Sequence, residues 1–167
     1  MSAELSLRSE TPDQTRAVGA ALAGLLEPGD VVALSGELGA GKTCLVQGAA
    51  RALGVTRRVT SPTFTLVRTY LDARVPIVHC DVYRLDRLQD VLDLGDEVLA
   101  PDVITFVEWG DAIASLLPDE RLDVELTLAD GDDLDGARVV RLRLAGARWE
   151  RRLDALTAAC ADWRQEG

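Results

Sequence analysis

The chain has 167 residues, with 28 acidic side chains against 18 basic ones, a formal charge of −10 and 47% hydrophobic residues. That length accommodates a buried core and predicts a single domain over 1–167, with 148–167 as a helical extension. The composition excludes several classes: the scattered arginines form no basic face for DNA, and the short apolar runs cannot cross a membrane.

The N-terminal stretch MSAELSLRSE lacks a basic region followed by an apolar one, so a secretory leader is not expected. Cys44, Cys80 and Cys160 form no C-x-x-C, and His79 is the one histidine. A disulfide framework or a His-rich metal site is therefore not expected, and the expected location is the cytoplasm.

In chain order, Thr11 is the predicted N-cap of a helix over 12–26, with Pro12 at its first position and Val18, Leu22 and Leu25 on one face. Glu27, Pro28, Gly29 and Asp30 stop it. Residues 31–35 read as a short buried strand, followed by a Gly-rich loop and a helix over 42–53 that Gly54 ends. A polar loop over 54–63 leads into strands 64–71 and 75–80, joined by LDAR as a hairpin. A helix is expected over 86–94, a second buried strand over 103–107, and a short helix over 111–117 ahead of Pro118. Strands 122–128 and 139–144 alternate apolar with polar residues and flank ADGDDLDGAR, a second hairpin. Residues 148–163 read as a terminal helix. Strands mixed with helices predict an α/β fold, and the hairpins predict a mixed, mainly parallel central sheet.

The Gly-rich loop carries the chemistry. Residues 36–43 read GELGAGKT, the spacing G-x-x-x-x-G-K-T. Glycines let backbone N–H groups turn toward phosphate oxygens, and the helix that follows aims its positive dipole end at the same anion. Lysine meets the outer phosphates as a compact charge, and the threonine hydroxyl suits Mg²⁺. Lys42 is the only lysine among the basic side chains. A GC-rich genome accounts for the surplus of arginine; a site shaped for a point charge accounts for the exception, since the planar guanidinium is no substitute there. The expected nucleotide-binding set is Gly36, Glu37, Leu38, Gly39, Ala40, Gly41, Lys42 and Thr43, on a three-layer fold of the P-loop NTPase kind.

Such a loop needs an acid at the end of a neighbouring strand. Asp81 follows VPIVHC and Glu108 follows VITFV, each where a buried strand emerges. One can hold the metal while the other orients or deprotonates the attacking water. Ser61 and Thr63, in VTSPTF, are candidates for a switch-like loop reaching the γ-phosphate or Mg²⁺. ADGDDLDGAR fails calcium-loop spacing, with Leu134 and Asp135 at positions that need a ligand and a glycine, and reads as a solvated hairpin loop. Arg57 and Arg58 read as a solvated pair. His79, Cys44 and Cys80 read as packing residues beside the site.

Taken together, GELGAGKT, VTSPTFTLV, HCDVYRLD, DLGDEVLAPDVITFVEW and LLPDERLDVEL appear in the order found in the TsaE family (formerly YjeE), which this chain resembles over about residues 9–145. The resemblance implies a small P-loop ATPase of the bacterial pathway that makes threonylcarbamoyladenosine on tRNA, with ATP as substrate and Mg²⁺ as cofactor. It implies that Lys42 contacts phosphate, that Thr43 and Glu108 bind Mg²⁺, and that Asp81 is the acid near the γ-phosphate needed for hydrolysis. Ser61 and Thr63 would belong to the switch-like loop, Trp109 would lie beside the nucleotide, and Thr11 would lie near the base. The implied partners are TsaB and TsaD homologues, with tRNA reached only through them. Gly110 stands where the family often has proline, and SETPDQT departs from the usual start of the first helix.

Three other readings compete. A small-molecule kinase needs an Arg-rich lid, and no arginine cluster occupies 84–121. A GTPase needs a second lysine for its guanine reader. A non-enzymatic nucleotide-binding interaction module has no use for the paired acids. No arginine is clearly placed as a finger in cis, Arg84 being the best internal candidate, so slow turnover that partners stimulate is expected.

Overall fold

The computed structural model describes residues 3–37, 39–60, 67–82, 99–108, 114–115, 117–131 and 136–165. Seven strands form one sheet: β1 (Ala3–Ser9), β2 (Val31–Ser35), β3 (Val67–Tyr70), β4 (Ile77–Asp81), β5 (Ile104–Glu108), β6 (Arg121–Leu128) and β7 (Arg138–Ala145). Their spatial order is β1-β7-β6-β2-β5-β4-β3. β2 pairs in parallel with both β5 and β6, and β4 with β5. β1, β2, β4, β5 and β6 thus run one way. β3 and β7 run the other, each in an antiparallel pairing with its hairpin partner. This is the expected α/β class with a mixed, mainly parallel sheet.

The central strands β2, β4 and β5 are almost continuously buried, as strands covered on both faces must be. β6 and β7 alternate, matching their reading as a hairpin. On one face lies the main core, built on α1 (Pro12–Ala23) and α2 (Lys42–Ala52), whose Val18, Leu22, Leu45 and Val46 share one buried cluster with Leu34, Phe106 and Val124 of the sheet. A smaller cluster, including Val31, Ala33, Val78, Cys80 and Val107, covers the other. α1 starts as expected: the Thr11 side chain accepts a hydrogen bond from Gln14 N at 3.1 Å, and Pro12 holds the first helical position. α1 and α2 cross very closely. A Cβ on Gly19 would overlap Leu45 O, and one on Gly48 would overlap Arg16 O.

Four features differ from the sequence reading. The first helix ends at Ala23, three residues short of the expected 26. Residues 3–9, assigned no element there, form β1, which pairs antiparallel with β7 and buries Leu5, Leu7 and Ser9. β4 begins two residues later than expected and takes in Asp81 as its last residue. The terminal helix is not continuous: α3 (Ala147–Glu150) and α4 (Leu153–Ala159) are separated by a turn, and a 3₁₀ segment spans Ala161–Trp163.

At that turn Trp149 enters the core while Arg152 meets Asp30, a buried carboxylate just ahead of β2. Arg152 Nη1 donates to Asp30 Oδ2 at 2.7 Å and Nη2 to Oδ1 at 3.3 Å. Arg148 lies 3.2 Å from the same Oδ1, and Glu27 N donates to Oδ2 at 2.7 Å. Arg148 and Arg152, four residues apart, thus converge on one acid. The expected helix over 86–94 lies outside the described residues, as does most of that over 111–117.

Candidate phosphate-binding site

The geometry follows from the parallel strands, whose C-terminal ends collect on one edge. Leu34 of β2 is in register with Glu108 of β5, and Asp81 of β4 is in register with Glu108. The Gly-rich loop leaves β2 on this same edge, where open α/β sheets bind ligands.

The loop's backbone needs its glycines. Gly36, Gly39 and Gly41 have φ of 142°, 84° and 105°, a region that side chains disfavour. Gly36 is also fixed by space, because a Cβ there would overlap Leu126 O of β6. Ala40 N donates to Glu37 O at 3.0 Å and closes the turn. Gly41 caps α2, so Lys42 and Thr43 open that helix at its positive dipole end.

Lys42 is only 5% exposed, and its ammonium donates to Gly36 O at 2.6 Å and Glu37 O at 3.2 Å. The cation is thus folded over the loop it belongs to. Thr43 Oγ1 donates to Glu108 Oε1 at 3.3 Å, joining the start of α2 to the end of β5. The donor set here is oxygen throughout, the kind a hard cation takes. Among the described residues no cluster of three or more His, Cys, Asp or Glu side chains is placed to enclose a metal. The oxygen pair of Thr43 and Glu108 is of the type that fits Mg²⁺, an ion that keeps several waters and shares its sphere with substrate phosphates.

The structure therefore brings together Gly36, Glu37, Gly39, Ala40, Gly41, Lys42, Thr43, Asp81 and Glu108. Thr11 caps α1, whose Thr15 methyl lies 3.6 Å from a Cβ placed on Gly41, so this helix start borders the loop. Leu38, Ser61, Thr63, Arg84, Trp109 and Gly110 lie outside the described residues.

One correction concerns His79. Its reading as a packing residue misses its polar partner: Nε2 lies 2.7 Å from Glu108 Oε2, with the ring fully buried. The two side chains share one hydrogen bond, with donor and acceptor set by the tautomer of the ring. The signal was available in the period of two along β4, which puts His79 and Asp81 on one face of the strand. Cys80, on the other face, does pack; burial, then the neighbouring Asp81 charge, pushes its thiol up to about 12. A second missed residue is Arg138, whose guanidinium bonds the loop's backbone from β7.

A separate groove of about 1110 Å³ runs between α1, α2 and residues 54–59, rimmed by Arg16, Arg51, Arg57 and Arg58. It includes no residue of the loop. Arg57 there donates to Thr69 O at 2.7 Å and stacks 4.8 Å from the Tyr70 ring centre, so it serves the fold locally.

Comparison with known proteins identifies the family. The family model described as threonylcarbamoyl adenosine biosynthesis protein TsaE matches residues 9–138. A tRNA threonylcarbamoyladenosine biosynthesis protein TsaE of Bacillus subtilis is 39% identical over 147 residues, covering 88% of this chain and 90% of that protein. A protein of the same name from Streptomyces coelicolor is 44% identical over 137 residues, covering 80% and 93%. The crystal structure of Bacillus subtilis YdiB superposes with a TM-score of 0.80 at 36% identity, covering 95% of this chain and 97% of that one. With a family match across most of its length, relatives that span it and the same fold in a solved structure, this chain belongs to the TsaE family.

Proposed function

We propose that this protein is the Mg²⁺-dependent ATPase subunit of the machinery that makes threonylcarbamoyladenosine on tRNA, acting on an assembly of TsaB and TsaD homologues. The observation that carries the reading is the joint placement of Lys42 and Thr43 at the start of α2 with Glu108 at the end of a parallel strand.

In this reading N–H groups of the 36–43 loop, that of Gly41 among them, wrap the phosphates, and the Lys42 ammonium meets the outer ones. Thr43 and Glu108 hold Mg²⁺, which supplies positive charge against the phosphate oxygens. Asp81, beside Glu108 in the sheet, orients the attacking water or takes its proton. His79 keeps the Glu108 carboxylate turned toward Thr43. Ser61 and Thr63 complete the site as a switch-like loop, and Thr11 borders the base. At a net charge of −10 the chain is repelled by a polyanion, which favours contact with tRNA through partners. No helix among the described residues is long and apolar enough to cross a membrane. The location that goes with this role is the cytoplasm, where the tRNA is.

The test is genetic and biochemical. Depleting the protein lowers threonylcarbamoyladenosine in tRNA, read by mass spectrometry; normal levels reject the pathway. The purified chain hydrolyses ATP slowly and is stimulated by the TsaB–TsaD assembly. Lys42→Ala abolishes nucleotide binding, and unchanged ATP affinity rejects the site.

A further inference from the structure

The phosphate loop is gripped from behind by a side chain outside its motif. Where a loop turns N–H groups toward an anion, carbonyls of the same peptides point outward. Two of these meet one guanidinium. Arg138 Nη2 donates to Gly39 O at 3.2 Å, and Nε donates to Ala40 O at 3.2 Å. Nη1 donates to Gly136 O at 2.5 Å and Ala137 O at 3.5 Å, which anchors the group in its own hairpin. Arg138 is the first residue of β7 and pairs with Leu128 of β6, so the anchor is the end of a two-stranded ladder. The same hairpin meets the loop at its other end, where Leu126 O excludes a side chain at Gly36.

We infer that Arg138 is a positioning residue of the phosphate loop, through which the β6–β7 hairpin sets affinity for a nucleoside di- or triphosphate. The inference rests on reading residues 36–43 as the nucleotide site. Its mechanism is peptide-plane geometry. A trans peptide is rigid, so fixing a carbonyl fixes the N–H on its opposite side. Holding Ala40 O toward the guanidinium turns Gly41 N–H the other way. Holding Gly39 O does the same for Ala40 N–H, which is seen closing the turn on Glu37 O at 3.0 Å. Gly39 and Gly41 both have positive φ, and glycine peptides flip readily, so the loop needs an external hold. The planar fork holds donors at fixed positions on Gly39 O, Ala40 O and its own hairpin at once, a rigid arrangement that the single point charge of a lysine does not reproduce. Without it the binding-competent loop is a smaller fraction of the population, and apparent affinity falls in proportion.

The experiment measures equilibrium binding of fluorescent ADP to wild type, Arg138→Ala, Arg138→Lys and Lys42→Ala, each well below its own melting temperature. Arg138→Ala weakens binding about tenfold or more. Arg138→Lys recovers only part of the loss. Millimolar guanidinium ion restores affinity to Arg138→Ala and leaves Lys42→Ala unrescued. In nucleotide-free protein, the Gly41 and Lys42 amides exchange faster in Arg138→Ala than in wild type. A general loss of stability reproduces neither the rescue nor the local exchange. Wild-type affinity in folded Arg138→Ala overturns the inference, and so does weakened binding that guanidinium does not rescue. If Arg138→Ala does not fold, Arg138→Lys decides: full wild-type affinity there overturns the inference. Wild type that binds no ADP rejects the nucleotide-site reading itself, and the inference with it.

Discussion

His79 Nε2 and Glu108 Oε2 lie 2.7 Å apart in a region closed to solvent, while Glu108 Oε1 accepts from Thr43 at 3.3 Å. The histidine thus sets the rotation of the carboxylate that faces the phosphate loop. On the proposed role of Glu108 as an Mg²⁺ ligand, losing an outer partner of this kind costs about 10–100-fold in metal affinity. His79→Ala is expected to raise the Mg²⁺ concentration for half-maximal ATP hydrolysis by about that factor, with little change in nucleotide affinity measured in EDTA. A magnesium titration of the variant checks this; an unchanged midpoint refutes it.

Asp30 carries the second prediction. Its carboxylate is almost wholly buried and bonded by Arg152 and the Glu27 amide. Losing Arg152 leaves this buried charge with Arg148 and the Glu27 amide, at a cost of about 2–3 kcal/mol, less than the ~3–5 kcal/mol of a wholly uncompensated one. Arg152→Ala should destabilise the protein on that scale in urea unfolding. Arg143→Ala, whose partner Glu4 is 3.8 Å away and half exposed, should change stability by less than about 1 kcal/mol.

The α1–α2 crossing predicts a size limit. At Gly19 and Gly48 an added methyl meets main-chain oxygens, which cannot swing aside as side-chain ends do. Gly48→Ala should cost about 1–3 kcal/mol or more, although alanine favours a helix by about 1 kcal/mol elsewhere. At Gly24, where the nearest atom is 3.5 Å from such a methyl, alanine should be tolerated. Thermal melts of the two variants separate the cases.

Much of this was legible because it is local. The Thr11 cap, the Gly-rich loop and both hairpins are written in adjacent residues, and the structure has each. The roles of His79 and Arg138 were not, because both depend on strand register. His79 meets Glu108 only once β4 lies beside β5, and Arg138 meets Gly39 only once β7 closes against β6. β1 did show an alternating pattern, with Leu5 and Leu7 buried between exposed Glu4 and half-buried Ser6 and Arg8, but its partner lies at the other end of the chain. The bond of Arg152 to Asp30 likewise joins residues more than a hundred positions apart.

The thiols supply a chemical check. Cys44 is partly exposed, whereas Cys80 and Cys160 are buried. A thiol reagent at pH 8 should label native Cys44 and reach the other two only on unfolding. Burial pushes the Cys160 thiol from 9.0 up to about 11. From about pH 9 upward the unfolded chain therefore gives up this proton while the native protein keeps it. The unfolded state then binds fewer protons, and native stability falls between about pH 9 and 11. Cys160→Ser should flatten that part of the stability curve.

The two sides of β1 are closed by distant parts of the chain. β7 pairs along one side, and on the other Leu7 bridges Arg164 while Gln165 N donates to Ser6 O at 3.0 Å. During synthesis, then, residues 3–9 remain an open strand edge until more than a hundred further residues have been added, a stretch of time in which such an edge invites mispairing. Arg138 and Arg152 arrive in the same late portion. The growing polypeptide can build its central strands early, but the hold on its phosphate loop and the seal on its outermost strand wait until residues 138–165 have been made.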